Sequence, residues 1–527
     1  MKKKLRIVLF LSLLACLLCV SANAEEPVIV EQPCTGIIQN GDFPEAPQPG
    51  LQMDASARSA DDALADVMAA LKQGLLEMKA SIDISQYRIP GETLRKIYPQ
   101  VVNENPELFF VQGGCVYQMM GGIVSNVSPD YLWGEKAVNV LTEEQKSQIR
   151  QKQTALEQVV NGILAQVDPD WSDLETALFL HDYLATHAQY DETLQFRDAY
   201  TILVEGTGVC QAYTLAYRLL LNRVNITSGT VTSTSLNHIW NILLIDGNWY
   251  HVDVTWDDPT EDRIGQSQHV YFCLSEDKLK ATNDGAHSAH DFKYSLNVKT
   301  DDKTFDNYYW ANVDTAFVPL NGTWYYLLYQ SGLMQTADPK QEGSLKKQIN
   351  TVWYVWMNGS SYWLGLYSGL SRYNDTLIYN TPDAVYSYDP ENAKEAQAVY
   401  TLTTAERSKG YIYGTVVDGN VLRYAVQQDP DHSMLTYTHK LDPYTAVTAG
   451  GYSYYLDGKT LHLKRDGAQS GSVIAAWYAA DGQLLGMWFL NGEELTANVS
   501  GAKTVKIFAA ANTDYHPLCE ATVCTIG

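Results

Sequence analysis

The amino-acid sequence predicts an α+β first half followed by a β-rich second half. Up to about residue 295, apolar residues recur at helical spacing in several segments, with strand-like stretches between them. Beyond about Leu296 the helical spacing gives way to aromatic and β-branched runs, separated by Asn-Gly, Asp-Gly and Gly-Lys turns. A chain of 527 residues with such a change of pattern is expected to form two to four domains.

The first 24 residues have the pattern of a secretory signal peptide. A basic start is followed by an apolar run from Ile7 to Val20 and by an A-x-A cleavage site that ends at Ala24. The run is too short for a permanent membrane span, and no later stretch is apolar enough to cross a bilayer. We therefore expect cleavage after Ala24 and a secreted, extracellular protein without a membrane span. The alternative is a lipoprotein acylated at Cys16, which the poor fit of Leu14 two places earlier disfavours.

The charge of the chain limits its partners. Residues 1–24 carry four positive charges and no acidic ones, so their removal changes the formal net charge from −24 to −28. Nucleic acid and an anionic membrane surface both repel such a protein, and we expect neither as a partner. Six cysteines remain, too few for a disulfide framework to hold an exported protein of this size together. Cys519 and Cys524 are close enough in sequence for a local disulfide.

We divide the chain after the signal peptide (residues 1–24) into five regions by composition and periodicity. They are a Pro-, Gly- and Gln-rich linker (25–59), an N-terminal α+β module (60–145), a second α+β region (146–295), a β-rich repeat-like region (296–445) and a small C-terminal β-domain (446–527). Long helices are predicted at Ala60 to about Ser81, Thr142 to Val167 and Leu174 to Ala188.

The β-rich region is predicted to be a series of hairpins. Their recurrence is loose and near the roughly 40- to 50-residue repeat of a propeller blade. We predict a propeller-like meander too short for a full closed ring, followed by a small β-sandwich. Aromatic residues of the meander suggest carbohydrate as a minor partner hypothesis, although they are more simply core residues of half-buried strands. These residues are Trp324, Tyr325, Trp353, Trp356, Tyr362 and Trp363.

The stretch "GVCQAYTLAY" (208–217) places Cys210 just after a glycine, at the start of a predicted helix. The buried stripe of that helix is predicted at Val209, Ala212, Tyr213, Ala216 and Leu220. Cys210 lies off the stripe in the first turn, where backbone N–H groups and the helix dipole favour an anion, and the thiolate is the nucleophilic form. A lone cysteine is more often a small buried hydrophobe, so this pattern indicates catalysis only if it has partners.

Candidate partners follow in "SLNHIWNILLIDGNWYHVDVTWDDP" (235–259). This stretch predicts two strands joined by a two-residue turn at Asp246-Gly247. In that register Trp240 lies opposite Asp253, and His238 projects from the same face one diagonal step away, within reach of the carboxylate. A three-residue turn would reverse the parity and separate the pair. The sequence thus predicts an imidazole with a carboxylate behind it.

A thiol at a helix start, followed by His and Asp on a hairpin, is the order of papain-like acyl-transfer sites. At these residues the sequence resembles the transglutaminase-like superfamily. The resemblance rests on "AYTILVEGTGVCQAYTLAYRLLL", "NHIWNILLIDGNWYHVDVTWDDP" and, less tightly, "HVYFCLSEDKL", and covers about Leu174 to Phe292. Farther upstream, "IDISQYRIP" and "NPELFFV" are similar to the module that precedes this domain in many bacterial members.

The resemblance implies a papain-like, transglutaminase-like catalytic domain over residues 146–295. It implies Cys210 as the nucleophile, His238 as the base and acid, and Asp253 as the orienting carboxylate. Family members commonly have glycine before the histidine, where this sequence has Asn237. That departure is expected to narrow the cleft or add a donor, and it removes no member of the triad.

The oxyanion donors are less well defined by the sequence. The backbone N–H of Cys210 is the expected first donor. For a second donor from a side chain, Tyr190, Tyr200 and Trp171 remain open alternatives.

Other polar residues near these motifs have simpler interpretations. His251 shares the strand that leads to the carboxylate and is interpreted as an ordinary strand histidine. His287 and His290 are spaced like a metal-binding pair, but no third or fourth ligand follows at a useful spacing, so we predict no metal and no cofactor. Asp257-Asp258 are interpreted as turn residues before a proline, and Cys273 as a core residue.

We expect a secreted cysteine-dependent acyltransferase, peptidase or amidase that acts on protein or cell-wall peptide amide bonds through a thioester on Cys210. An amine would then give cross-linking, and water would give deamidation or hydrolysis, so the residues leave the outcome open. A chain ending near Asn297 is expected to keep a reactive Cys210. The alternative function is a non-catalytic secreted or cell-surface binding protein that uses the same fold as a scaffold.

Overall fold

The structure of the protein is a computed structural model. It describes residues 28–30, 60–133, 136–258, 263–282, 287, 291–349, 352–357, 361–392, 395–428, 432–441, 445–447, 450–457, 459–466, 471–511 and 516–525. The predicted signal peptide, most of the predicted linker and His290 lie outside these residues. The described residues belong to two compact units. These are residues 28–30, 60–101 and 111–141, and residues 102–110 and 142–525.

The first unit contains one antiparallel sheet and two helices. The helices are α1 (Ala60–Leu76) and α2 (Gly91–Glu104), of which residues 102–104 belong to the second unit. The strands are β1 (Val28–Val30), β2 (Ile82–Asp83), β3 (Val111–Met120), β4 (Ile123–Trp133) and β5 (Lys136–Val138). The sheet order is β1-β3-β4-β2, with β5 paired to β4. Val67, Leu71 and Leu75 of the predicted α1 stripe are inaccessible to solvent. The helix ends before the predicted Ser81, and Met78 takes a left-handed backbone conformation (φ 55°).

The second unit begins with two long helices that start where the sequence predicts. They are α3 (Glu143–Leu164) and α4 (Asp173–His187), and each opens with a capping box in which Thr142 or Ser172 is the N-cap. The shorter helices of the described residues are α5 (Ala199–Val204), α6 (Cys210–Arg223), α7 (Val254–Asp257), α8 (Glu276–Ala281) and α9 (Thr404–Arg407). Most of α4 is buried, so it is a core helix of this unit.

A five-stranded antiparallel sheet of order β11-β10-β9-β8-β12 lies next to α6. Its strands are β8 (Ser228–Ser233), β9 (His238–Ile245), β10 (Asn248–Val252), β11 (Phe272–Leu274) and β12 (Phe292–Tyr294). A short parallel pair, β6 (Gln189–Tyr190) and β7 (Thr207–Gly208), precedes α6 in the chain. The chain therefore enters α6 directly from a strand.

The predicted hairpin is confirmed. Val252 pairs with Asn241, which is the register that a two-residue turn at Asp246-Gly247 requires. The two turn residues have φ values of 50° and 84°, as a type I′ turn demands. β10 ends just before Asp253, and this residue is the N-cap of α7. The carboxylate is thus placed where the chain leaves the hairpin.

Beyond residue 296 the described chain is strand-rich. Its strands up to residue 440 are β13 (Val318–Leu320), β14 (Thr323–Leu328), β15 (Gly332–Thr336), β16 (Ser344–Lys347), β17 (Val352–Met357), β18 (Ser361–Leu366), β19 (Leu370–Tyr373), β20 (Thr376–Asn380), β21 (Ala384–Tyr388), β22 (Gln397–Thr401), β23 (Tyr411–Asp418), β24 (Val421–Gln427) and β25 (Leu435–Lys440). They form antiparallel meanders β13–β16, β17–β18, β19–β22 and β23–β25. The described residues form no closed propeller, and the propeller-like part of the prediction is unconfirmed.

The last described strands form two antiparallel sheets that share one core. They are β26 (Thr445–Val447), β27 (Tyr452–Asp457), β28 (Thr460–Arg465), β29 (Gly471–Tyr478), β30 (Leu484–Phe489), β31 (Glu494–Asn498), β32 (Thr504–Ala511) and β33 (Thr522–Thr525). The sheet orders are β26-β27-β28-β31 and β30-β29-β32-β33. Leu461 and Leu463 of one sheet and Val473 and Ile507 of the other belong to the same buried cluster. This is the two-layer arrangement of a small sandwich.

The main hydrophobic core does not end at the boundary predicted at residue 295. It combines buried side chains of α3 to α6 and β9 to β11 with later residues of the strand-rich part. These later residues are Phe305, Trp310, Val313, Phe317, Trp324, Tyr326 and Met334. The chain up to β15 therefore contributes to the core that surrounds α4 and α6.

The aromatic and cysteine predictions have different outcomes. Trp324 and Tyr325 are buried, so these two do not form an exposed binding face. The side chains of Trp353, Trp356, Tyr362 and Trp363 lie outside the described residues. Cys519 and Cys524 are free thiols, and Cys273 is fully buried, as predicted for a core residue.

None of the helices in the described part of the chain is both long and apolar enough to cross a membrane.

Candidate active site

Cys210 is the first residue of α6. Val209 is the N-cap and has an extended backbone. A Cβ on Gly208 would lie 2.4 Å from the Cβ of Ala212, so glycine permits the tight entry into the helix. Cys210 is partly buried, whereas its neighbours on the predicted stripe are in the core. The thiol therefore lies at the positive end of the helix dipole with access to solvent.

Two buried side chains fix β9 against α6. The hydroxyl oxygen of Thr214 lies 2.8 Å from the carbonyl oxygen of Cys210 and 3.0 Å from that of Ile239. Asn241 donates its amide N–H to the carbonyl oxygen of Thr214 at 3.2 Å. Both side chains are shielded from water, so these bonds fix the position of β9 along the axis of α6. His238, the neighbour of Ile239, is thereby held near the first turn of α6.

The structure brings His238 and Asp253 together. Nε2 of His238 lies 2.6 Å from Oδ2 of Asp253, which leaves Nδ1 for the thiol. The other carboxylate oxygen, Oδ1, accepts the backbone N–H of Trp256 at 3.3 Å and caps α7. The backbone N–H of Asp253 donates to the carbonyl oxygen of Tyr271 on the neighbouring segment. The short helix and the sheet thus hold the carboxylate from two sides.

The charges of these groups favour a protonated imidazole. Burial alone would lower the pKa of His238, but the charge and hydrogen bond of Asp253 and a hydrogen bond with Cys210 together raise it to about 10. The pKa of Asp253 lies well below its usual range because the raising effect of burial is outweighed by His238 and His287. The arrangement therefore stabilises an imidazolium between a carboxylate and a thiol.

Asn237, which replaces the glycine common in the family, has a positive φ of 52°. Its backbone N–H donates to the carbonyl oxygen of Thr234 at 3.2 Å in the turn before β9. Glycine adopts this left-handed region freely, and asparagine is one of the few other residues that visits it at low cost. The sequence departure is therefore compatible with the backbone that presents His238.

His287 is a neighbour of the site whose role the sequence did not predict. Its Nε2 lies 3.0 Å from Oδ2 of Asp253, the same oxygen that His238 contacts. Its ring is fully buried and packs edge-on against Trp256 and Trp240, with centroids 5.2 and 5.4 Å away. His287 and the hairpin are far apart in sequence, so only the fold brings them together.

His251 supports the site without touching the thiol. The indole N–H of Trp240 donates to Nδ1 of His251 at 2.9 Å, and the Trp240 ring stacks on His238 with centroids 5.5 Å apart. Nε2 of His251 is hydrogen-bonded to the Thr300 hydroxyl at 2.9 Å. Burial lowers the pKa of His251 to about 3, so the ring is neutral. It is a structural strand histidine, as predicted.

Of the three candidate side-chain donors, Tyr190 lies near the thiol. Its residue pairs with Gly208 in the parallel β6–β7 pair, two residues before Cys210. Burial and the charge of Cys210 raise the pKa of Tyr190, and its side chain is 42 % exposed. Tyr200 instead stacks on Phe109, and Trp171 packs against Phe179 and Trp324 in the core.

A second histidine–carboxylate cluster lies in the core at the other end of α7. Oδ1 of Asp182 is 2.9 Å from Nδ1 of His181 and 2.8 Å from Nε2 of His269. Nε2 of His181 lies 3.1 Å from Oδ2 of Asp257, the last residue of α7. Oδ2 of Asp182 accepts the backbone N–H of Phe317 at 2.6 Å. The cluster therefore ties α4 and α7 to the segment that leads into β13.

The charges of this cluster are stabilised by mutual contact. Burial would lower the pKa of His181, but the hydrogen bonds and charges of Asp182 and Asp257 raise it to about 9. The pKa of Asp182 is lowered to about 2, because the charges and hydrogen bonds of His269 and His181 outweigh burial. These side chains are inaccessible to solvent or nearly so.

The interpretation of Asp257-Asp258 as turn residues is incomplete. Asp257 accepts the backbone N–H of Tyr271 at 3.0 Å besides its contact with His181. Asp258 accepts the phenolic O–H of Tyr213 in α6. Both carboxylates are buried, and they connect α7 to elements distant in sequence. The signal that the sequence did offer was His181-Asp182, two polar residues between the apolar runs ALFL and YLA of α4.

The sequence argument against a metal at His287 considered only neighbours in the chain. In space, His238, Asp253 and His287 bring ligand atoms within 4.8 Å of one another, as do His181, Asp182 and His269. Two ligands of a tetrahedral zinc at about 2.0–2.1 Å stand roughly 3.3 Å apart. The distances of 2.6 to 3.0 Å between carboxylate oxygens and imidazole nitrogens are shorter and are those of charge-assisted hydrogen bonds. We assign both clusters as hydrogen-bonded.

Comparisons with solved structures give two similarities. One structure is a transglutaminase (TGase), with 12 % identity, a TM-score of 0.18, and coverage of 30 % of this chain and 46 % of that chain. The other is the extracellular domain of a hybrid two-component system protein from B. thetaiotaomicron, with 9 % identity, a TM-score of 0.15, and coverage of 54 % and 41 %. The chain thus spans less than half the length of either, and at these TM-scores neither similarity supports an inference.

No curated protein sequence matches the chain. The family model of the transglutaminase-like superfamily matches residues 157–254, which run from the second half of α3 to the first residue of α7 and include the thiol, the hairpin and the carboxylate. The resemblance seen in the sequence is therefore confirmed over this segment. The chain carries a transglutaminase-like core domain, of a superfamily of cysteine-dependent acyltransferases and peptidases, followed by a strand-rich remainder.

Proposed function

We propose that the protein is a secreted enzyme that transfers acyl groups from amide bonds of proteins or cell-wall peptides through a thioester on Cys210. The observation that carries the proposal is the 2.6 Å contact between His238 and Asp253 beside the thiol at the start of α6. A scaffold without chemistry has no use for an imidazolium held between a buried carboxylate and a partly exposed thiol.

The chemistry would proceed in two halves. The Cys210 thiolate attacks the carbonyl carbon of the amide, and the tetrahedral oxyanion collapses as His238 gives its proton to the leaving amine. The thioester is then attacked by an amine or by water, and His238 takes the proton of that nucleophile. Cys210 leaves as the thiolate and the imidazolium is restored. Asp253 keeps the ring oriented and stabilises its charged form throughout.

The oxyanion requires hydrogen-bond donors near the thiol. The backbone N–H of Cys210, in the first turn of α6, is one donor. We assign the second to the phenolic O–H of Tyr190, the candidate whose strand β6 pairs with β7 two residues before Cys210. Trp256, 37 % exposed and beside His238, would contact the chain of a bound peptide.

Export is the second part of the proposal. It rests on the basic start, the apolar run from Ile7 to Val20 and the A-x-A site ending at Ala24. N-terminal sequencing of secreted material should give Glu25 as the first residue. A lipid-modified start at Cys16 would contradict this and support the lipoprotein alternative.

The decisive experiment is a screen of peptide amides and amine donors with the wild-type chain, Cys210→Ala and the matched control Cys273→Ala. We expect a thioester adduct and turnover with the wild-type chain and with Cys273→Ala, and neither with Cys210→Ala. The same screen distinguishes amine transfer from hydrolysis by the mass of the product. Turnover that persists in Cys210→Ala would exclude the proposed chemistry and leave the binding-protein alternative.

A further inference from the structure

Asp253 has two imidazole neighbours on one oxygen. Oδ2 lies 2.6 Å from Nε2 of His238 and 3.0 Å from Nε2 of His287. Asp253 is ionised, so it can only accept, and each imidazole must present an N–H to it. The carboxylate is therefore held by two ring donors and, on Oδ1, by the backbone N–H of Trp256.

The ring of His287 is fixed in a box of aromatic side chains. It packs edge-on against Trp256 and Trp240 and in a tilted contact on Tyr271, with centroids 5.2, 5.4 and 5.0 Å away. The residue is fully buried. A ring enclosed in this way has little rotational freedom, so its N–H is aimed at Asp253 before substrate arrives.

We propose that His287 is a positioning residue of this site: its Nε2–H donates the second hydrogen bond to Oδ2 of Asp253 and thereby holds the carboxylate, and through it His238, in line with Cys210. The inference rests on the proposed function and deepens it. Without that donor, Oδ2 keeps His238 as its one partner among the described residues, and the carboxylate can rotate about its Cα–Cβ and Cβ–Cγ bonds. His287 thus acts through Asp253, which its Nε2 contacts at 3.0 Å.

Two substitutions separate the hydrogen bond from the packing. His287→Phe keeps an aromatic ring in the box and removes the donor. His287→Gln keeps an N–H where Nε2 stands and removes the ring. A hydrogen bond to a charged group is worth roughly 10- to 100-fold in a rate that depends on it. We therefore expect His287→Phe to slow alkylation of Cys210 by iodoacetamide at least about 10-fold, and His287→Gln to restore it to within a few-fold of wild type.

The matched control is His439→Phe, on β25 in the strand-rich part. In this variant iodoacetamide should alkylate Cys210 at the wild-type rate. If His287→Phe reacts like wild type, or if Phe and Gln slow the reaction equally, the positioning role is wrong and His287 only fills space. Loss of selective alkylation in the wild-type chain, or its persistence in His238→Ala, would instead contradict the proposed function. The two failures are therefore distinguishable.

A second measurement needs no variant at position 287. In the wild-type chain labelled with ¹⁵N-histidine, His287 should show a protonated Nε2 whose proton is shifted downfield and exchanges slowly with water. Asp253→Asn should abolish that shift, whereas Asp182→Asn should not. A protonated Nδ1 with a bare Nε2 on His287 would overturn the proposal, because no donor would then face the carboxylate.

Discussion

Two histidine–carboxylate clusters lie at opposite ends of α7 and are built from the same kinds of side chain. Asp253 at its start is shared by His238 and His287, and Asp257 at its end contacts His181. The first cluster adjoins the Cys210 thiol and keeps His238 partly open to solvent, whereas the second is sealed in the core. The comparison shows that the types of side chain in a cluster do not by themselves make it a candidate active site. Access to solvent and a neighbouring nucleophile distinguish the first cluster from the second.

The sealed cluster has a different task. It joins α4, α7 and the segment before β13 through Asp182, whose carboxylate accepts the N–H of Phe317. Nδ1 of His269 is hydrogen-bonded to the carbonyl oxygen of Val313 at 2.9 Å. The helix that carries the Asp253 cap is therefore anchored to residues beyond 297. We therefore revise the expectation for a chain ending near Asn297 and predict that it loses the fold that presents the thiol.

The largest effect is expected from truncation. A chain ending after Asn297 loses the partners at Val313 and Phe317 and the buried rings of Trp310 and Trp324. Each buried aromatic ring contributes about 3–5 kcal/mol, so the remaining core should not fold stably. Near-ultraviolet circular dichroism should show loss of tertiary structure, while a chain ending after Ile349 should retain it. Cooperative unfolding and selective alkylation in the shorter chain would show that the sealed cluster is dispensable.

Asp253→Asn tests the open cluster alone. An amide in place of the carboxylate holds the wrong tautomer of His238 and does not stabilise the imidazolium, so turnover should fall about 10⁴-fold. The variant should also unfold at a lower temperature, because the buried imidazole of His238 loses its carboxylate partner, although asparagine can keep the cap on α7. Turnover is therefore compared at a temperature at which both chains are folded. Turnover within 10-fold of wild type, measured on any substrate that requires Cys210, would contradict the assignment.

Asp182→Asn tests the sealed cluster alone. It removes one charge from a buried network and leaves His181 and His269 incompletely paired, which should lower the free energy of unfolding by about 3–5 kcal/mol. Urea denaturation measures this, with Asp277→Asn as control, because that carboxylate is exposed and forms a surface pair with Lys303. Molecules that remain folded should keep a reactive Cys210. If Asp182→Asn and Asp277→Asn lower the free energy of unfolding equally, the buried cluster stabilises the fold no more than a surface ion pair does.

The two clusters also predict a pH dependence of stability. The pKa of His181 is about 9 when folded and near 6.5 when unfolded, so its contribution is complete below pH 6.5 and is lost as the pH rises to about 9. That loss amounts to about 3 kcal/mol. His238, with a pKa of about 10, adds a second loss over an overlapping range. Between pH 6.5 and 9, His238→Gln should therefore show about half the wild-type slope of unfolding free energy. An unchanged slope would mean that His238 is not protonated in the folded state.

The smallest effect is expected at Asn237, which directly precedes His238 of the first cluster. Its positive φ suits glycine, so Asn237→Gly should change stability by less than about 1 kcal/mol and leave alkylation of Cys210 intact. Asn237→Val places a β-branched residue in the same backbone and should cost about 1–2 kcal/mol. Thermal unfolding of the two variants measures the difference. If the glycine variant unfolds at a lower temperature than the valine variant, the Asn237 side chain itself stabilises the turn.

The parts of the site that follow from local rules could be predicted. The Asp246-Gly247 turn sets a register, and a register with a period of two places His238 and Asp253 on one face. The starts of α3 and α4 were predicted to within a residue or two for the same reason, because a helix start depends on three or four consecutive residues. The donor role proposed for Tyr190, in contrast, depends on the pairing of β6 with β7, which no local pattern signals.

The sequence by itself determined the family of the core, the hairpin and the order in which thiol, imidazole and carboxylate occur, because each of these depends on neighbours within a few residues or on a matching motif. Only the tertiary structure decided that His287 contacts Asp253, that His181 and Asp182 anchor α7, and that the core extends to residues beyond 297. Those contacts join residues tens of positions apart, and their free energy comes from burial in a shared core. Local patterns in the sequence do not predict which distant side chains come together in that core.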